Sequence, residues 1–159
     1  MSELQVASIR TEIAAPAALV WDVLVDLDKY NLWNPLNRRV ESTLRVGDDV
    51  KLYISDADLS QAGAVFVHRL QAIDPPRHLA WGWTSDGPAE QGVRTRRDQY
   101  VEALGAERCT YYTTDTFMGP GAAPLFDLYS AQIKSSFDAL AASLKVHAER
   151  LHREAVARK

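Results

Sequence analysis

Two side chains of this 159-residue chain combine proton chemistry with a local pattern that turns them inward. From 109 to 117, Cys109, Tyr111, Thr113, Asp115 and Phe117 alternate with Thr110, Tyr112, Thr114 and Thr116. If Cys109 and Phe117 face a core, Asp115 faces it with them. A carboxyl held there loses hydration, its pKa rises, and it becomes a general acid or base. The competing reading leaves Asp115 near a strand end, in solvent or beside an arginine. From 64 to 72, Phe66, His68, Leu70 and Ala72 alternate with Val65, Val67, Arg69 and Gln71. Arg69 and Gln71 prefer water, so the first set turns in and takes His68 along. A neutral imidazole there exchanges a proton near neutral pH; the competing reading is a core histidine with its hydrogen bonds met. Cys109 has no activating neighbour and reads as a small core residue.

The aromatic residues extend the pattern. Trp81 and Trp83 share a strand face, and Phe66, Tyr100, Phe117, Phe126, Tyr129 and Ile133 complete a candidate ligand-binding set. Aromatic walls with scattered hydroxyls suit a flat apolar ligand. Plain core packing is the competing reading, and it applies to Trp21 and Trp33. Arg94, Arg96 and Arg97 form a basic group expected at the rim, a candidate carboxylate or phosphate anchor. No metal site is expected. Among His68, His78, His147 and His152 only the last two are close, and residues five apart on a helix point to separate sides. Both are expected to be solvated in the tail. No P-loop and no GxGxxG follows a strand, so no nucleotide cofactor is expected.

Composition limits the partners. A net charge of −3 and pI near 5.8 argue against a nucleic-acid binder. Hydrophobic content of 47% with 25% charged residues describes a folded globule. No long apolar run and no basic-then-apolar start is present, so no membrane insertion and a cytoplasmic location are expected. Residues 145–159 carry +3 against −6 for the remainder. That charged helical extension would dock a partner or a second copy of the chain; the alternative is a solvated, fraying end.

The elements that must position these residues follow from periodicity. Ala7, Ile9, Thr11 and Ile13 predict one half-buried strand, stopped by Ala14-Ala15-Pro16. Val20, Trp21, Leu24 and Leu27 predict a helix begun at Pro16. Asp28 is expected to cap a second short helix that ends before Pro35. Gly47-Asp48-Asp49 predicts a hairpin between 41–46 and 50–55. Further strands are expected at 64–73 and 77–84, divided by Asp74-Pro75-Pro76, with polar loops at 56–62 and 85–92. Another hairpin joins 94–104 to 108–117. After Gly119-Pro120-Gly121 a helix from Ala122 to the C-terminus carries Phe126, Tyr129, Ile133, Phe137, Leu140 and Leu144 as its apolar stripe. An α+β domain spanning 1–159 is implied, with a sheet of about seven strands around the last helix.

The run Ala15-Pro16-Ala17-Ala18-Leu19-Val20-Trp21-Asp22-Val23-Leu24, with Asp26, Tyr30 and Trp33-Asn34-Pro35, resembles the START-like, helix-grip superfamily (SRPBCC). Arg45-Val46-Gly47-Asp48, Pro75-Pro76-Arg77-His78-Leu79-Ala80-Trp81 and Phe117-Met118-Gly119-Pro120 resemble it further, so the likeness covers nearly the whole chain. The polyketide cyclase/dehydrase and lipid-transport branch is the nearest in character. The resemblance implies a curved antiparallel sheet gripping the C-terminal helix around a hydrophobic cavity. It implies three functions: binding of an aromatic or lipid-like ligand, an aromatase/cyclase-type enzyme using Asp115 or His68, or a protein-interaction module like the chaperone co-activators. Fold alone does not choose among them.

Overall fold

A computed structural model describes residues 4–53, 64–84 and 92–159. The polar loop expected at 56–62, and all but Gly92 of that at 85–92, lie outside the described residues. In chain order the elements are β1 (Leu4–Ala7), β2 (Thr11–Ile13), α1 (Ala17–Val25), a 3₁₀ helix (Leu27–Leu32), β3 (Arg39–Ser42) and β4 (Asp49–Tyr53). There follow β5 (Val65–Asp74), β6 (His78–Thr84), β7 (Arg94–Gly105), β8 (Arg108–Met118) and α2 (Ala122–Ala157). All strands join one curved antiparallel sheet in the order β1-β8-β7-β6-β5-β4-β3, with β2 also on β8. From β3 to β8 each strand pairs with the next in sequence.

The expected first strand is two strands. Ser8 ends β1: its N–H donates to Thr113 O, and its Oγ accepts from Thr113 N–H. The Ile9 N–H turns away to Asp138 Oδ1 on α2. Alternation therefore restarts at Thr11. Val6, Ser8, Thr11 and Ile13 are buried, whereas Ala7 is exposed and Ile9 is 51% exposed, against the expected inward set. Asp26, not Asp28, stands at the N-cap of the 3₁₀ helix, and neither makes a capping side-chain bond there.

The C-terminal helix begins where expected. Gly119 adopts φ +103°, a left-handed conformation that disfavours any side chain, and the chain then reverses into α2. Burial along α2 is uneven, and this creates the site. Leu140, Ala141, Leu144 and Ala148 lock its C-terminal half onto a core containing Ile13, Leu24, Leu79 and Tyr111. Its N-terminal half stands over the sheet with Leu125, Tyr129 and Ile133 interspersed with the small or polar Gln132, Ser136 and Ala139, and a space is left beneath it.

The C-terminal extension departs from the solvated expectation in its first turns. His147 is 8% exposed and lies flat on Trp33. Lys145 Nζ donates to Glu12 O, and Glu149 accepts from both Lys145 and the Ala14 N–H. His152 approaches Glu107 at 3.8 Å. Beyond it the final turn is exposed.

Candidate functional site

Between the sheet and the N-terminal half of α2 is a cavity of about 760 Å³. Two cross-strand rows make its floor. In one, Trp81 on β6 faces Arg97 on β7, which faces Asp115 on β8. In the next, Trp83 faces Thr95, which faces Phe117. All six residues line the space. Phe66 and His68 of β5 and Leu52 of β4 form a side wall, and Pro35, Leu36 and Asn37 close one end. The roof is Leu125, Tyr129, Gln132, Ile133, Ser136 and Ala139 of α2. Tyr129 and Ile133 share a helix face with Ser136, three and four residues being one turn. The small residues at 136 and 139 leave the volume that larger side chains would fill.

The polar groups gather on the floor. Arg97 is 7% exposed, not at the rim as expected. Its Nε donates to Thr113 Oγ1 at 3.1 Å and one Nη donates to Gln99 Oε1 at 3.4 Å. The guanidinium lies 4.7 Å from the Phe137 ring centroid and 5.7 Å from that of Trp81. Asp115 is its neighbour across the ladder. Burial pushes the Asp115 carboxyl up to about 7; Arg97 pulls it down, and Asp98 on the far face pushes it up. Burial and the same guanidinium drive His68 down to about 4, so its imidazole is neutral at physiological pH. His68 Nδ1 and the indole Nε1 of Trp81 are buried without a hydrogen-bond partner. Burial holds Cys109 up at about 11, which makes it a poor nucleophile.

Most of the residues singled out by sequence come together here. Asp115, His68, Phe66, Trp81, Trp83, Phe117, Tyr129 and Ile133 all border the cavity. Phe126 does not. It packs edge-on behind Phe117, with ring centroids 5.6 Å apart. Tyr100 is a correction: it lies on the outer sheet face, stacked between His78 at 4.8 Å and Tyr112 at 4.7 Å. There it borders a separate groove of about 600 Å³ around the cis Pro75-Pro76 turn. Val101, paired with Tyr111, takes the inward position beside it. Of the three arginines, Arg96 is also on the outer face, where it holds Asp98 together with His78.

Sequence alone named Arg97 as an anchor but set it at the rim, and it did not single out Thr95, because both faces of 94–103 are polar. One signal was present. Arg94, Arg96, Asp98 and Glu102 share one face, and Arg97 is the single charge on the other. Among the described residues no group of three His, Cys, Asp or Glu side chains is arranged to hold a metal ion. Nor is any helix among them long and apolar enough to cross a membrane.

Residues 5–149 match the family model for polyketide cyclase/dehydrase and lipid transport. Among solved structures the chain is similar to the Zhui aromatase/cyclase from Streptomyces sp. R1128, with 23% identity and TM-score 0.67. That alignment covers 94% of this chain and 95% of the other. A START superfamily protein from Mycobacterium smegmatis aligns over 94% of this chain and 99% of its own, with 16% identity and TM-score 0.65. The di-domain aromatase/cyclase BexL aligns over 91% of this chain and 46% of its own, with 14% identity and TM-score 0.66. No curated protein matches the chain. At these identities the solved structures establish the helix-grip fold.

Proposed function

This chain belongs to the polyketide cyclase/dehydrase and lipid-transport family, and from that premise we propose that its cavity binds a small, flat, largely apolar molecule bearing oxygen at one end. The observation that carries this reading is the cavity's division. Trp83, Phe66 and Phe117 supply apolar surface, whereas the titratable and charged groups Arg97, Asp115 and His68 all come from the sheet side of the cavity. At about 760 Å³ it has the dimensions of a small-molecule site. Apolar walls drive association, and a few convergent polar groups set orientation. The test is titration with a fluorescent aromatic probe. Trp81 and Trp83 stand in the wall, so binding should quench their emission and saturate at about one site per chain. A folded protein with no saturable binding would defeat the reading.

A second reading, an aromatase/cyclase-type enzyme, is favoured by Asp115, whose carboxyl titrates at about 7. Ring closure by aldol addition and dehydration needs a group that removes a proton from carbon and returns one to a departing hydroxyl. In this reading Asp115 does both, and Arg97 stabilises the intervening enolate oxygen. His68, neutral and facing the same space, is the alternative proton carrier. Asp115→Asn should then abolish turnover of a poly-β-keto substrate while probe binding persists. The interaction-module reading asks for a space filled by Trp83, Phe126 and Tyr129; the open cavity gives it no support.

A further inference from the structure

The hydrogen-bonding balance on the cavity floor narrows the ligand class, an argument that rests on the cavity being a small-molecule site. Arg97 carries five N–H donors. One reaches Thr113 and another reaches Gln99, whose Oε1 also accepts from Tyr111 Oη at 2.7 Å. Among the described residues no carboxylate lies within 4.0 Å of the guanidinium, Asp115 included. A buried cation without a counter-ion is costly. Trp81 adds an indole N–H that is also buried and unpartnered. The floor thus has donors and a positive charge in excess. What it lacks is an anionic oxygen in contact with Arg97.

We propose that the cavity takes a monoanionic aromatic ligand, a carboxylate or phenolate, with its charged oxygen turned onto Arg97, and that Asp115 takes up one proton from solvent as that anion binds. A neutral ligand leaves the Arg97 charge unmatched. An anion matches it through charge-assisted hydrogen bonds, but it then stands beside a second carboxylate. Two negative charges next to one guanidinium repel, and the flexible response is protonation of Asp115 to a neutral carboxyl that can itself donate. The groups facing Asp115 support this assignment. Arg97 faces it across the ladder from β7, His68 of β5 and Tyr129 of α2 border the same cavity, and Asp98 acts through the sheet from the outer face. Val6, its partner on β1, carries no charge. His68 is already neutral well below pH 7, so its charge does not change where Asp115 titrates.

Calorimetric titration of the full chain with naphthalene-2-carboxylate and with the neutral 2-naphthamide tests this. The carboxylate should bind at least about tenfold more tightly than the amide. At about pH 8.5, titrations in buffers of different ionisation enthalpy should show close to one proton taken up per site, and at about pH 6 much less. Affinity for the carboxylate should fall as pH rises through about 7, because the empty site must then acquire a proton. Asp115→Asn should remove both the proton uptake and the pH dependence. Arg97→Gln should bring the affinity for the carboxylate down to that for the amide; should that variant not fold, Arg97→Lys and the wild-type pair decide. Equal affinity for the two compounds, or no proton uptake at about pH 8.5, overturns the proposal and leaves the cavity reading standing. If neither naphthyl compound binds while a neutral dye saturates one site, the outcome is the same. If nothing binds, both fall.

Discussion

The imidazole of His147 lies flat on the indole of Trp33, with ring centroids 6.4 Å apart and planes 18° apart. This pair ties the second half of α2 to the segment after the 3₁₀ helix, and Ser143 Oγ reinforces it by donating to the Trp33 carbonyl. His147 Nδ1 accepts from Arg150 at 3.1 Å, so the ring is held neutral. Burial, then Arg150, lowers its pKa from the ordinary 6.5.

A group depressed in the folded state contributes stability above its unfolded pKa and loses it as pH falls. The contribution of His147 to stability, read as the difference between wild type and His147→Ala in urea unfolding, should therefore decline below about pH 6.5. His147→Ala should cost about 1–2 kcal/mol at neutral pH and progressively less as pH falls. A variant as stable as the parent at neutral pH would remove the docking role.

Asp115 acts in the opposite direction. Its carboxyl is raised to about 7 in the folded chain, against 3.8 as its ordinary value. The ionised form is thus disfavoured by folding, and the Asp115 contribution to stability should become less favourable as pH climbs from about 4 toward 7. Asp115→Asn should be more stable than the parent at about pH 8, by on the order of 3 kcal/mol. The gap should close near pH 4. A variant equally stable at both pH values would show that Asp115 is solvated.

His68, lowered to about 4 from 6.5, should contribute stability that is complete above 6.5 and disappears toward 4. His68→Leu should remove that acid-limb loss, leaving the stabilisation by Asp115 protonation visible over the same range. An unchanged acid limb would place the imidazole in water.

Trp83 and Tyr100 provide a matched pair on opposite sheet faces. Trp83→Ala should weaken binding of an aromatic probe by about tenfold or more, since stacked aromatic contact is worth on the order of 1 kcal/mol beyond area burial. Tyr100→Ala should leave probe affinity unchanged, because its ring packs on His78 and Tyr112 outside the cavity. Loss of binding in the Tyr100 variant alone would invert the assignment of faces.

A fifth measurement addresses the start of α2. At Gly119 a Cβ would meet Gly92 O at 2.6 Å, with φ at +103°. Gly119→Ala should lower thermal stability, by about 1–3 kcal/mol, through strain and clash together. An unaltered melting temperature would mean that the turn relaxes freely.

Some of this was written locally in the chain. Alternation identifies an inward face when the two faces differ in polarity, and Phe66, His68 and Leu70 against Arg69 and Gln71 satisfy that condition. The same contrast turned Trp81 and Trp83 inward. The punctuation at Gly119-Pro120-Gly121 marked the beginning of α2 to the residue. Fold and the membership of the cavity wall were therefore largely legible.

Tertiary structure decided the rest. Between 94 and 103 both faces are polar, so period-two reading could not tell Arg97 from Tyr100; pairing of β7 with β6 and β8 turned one inward and the other out. The break after Ala7 depends on Thr113 and Asp138, and the burial of His147 depends on Trp33, partners more than a hundred residues away. A charge's environment is set by what packs against it in space. Local pattern names the residues that enter a core, but only the assembled sheet and helix determine that Arg97 and Asp115 lie side by side and remain unpaired.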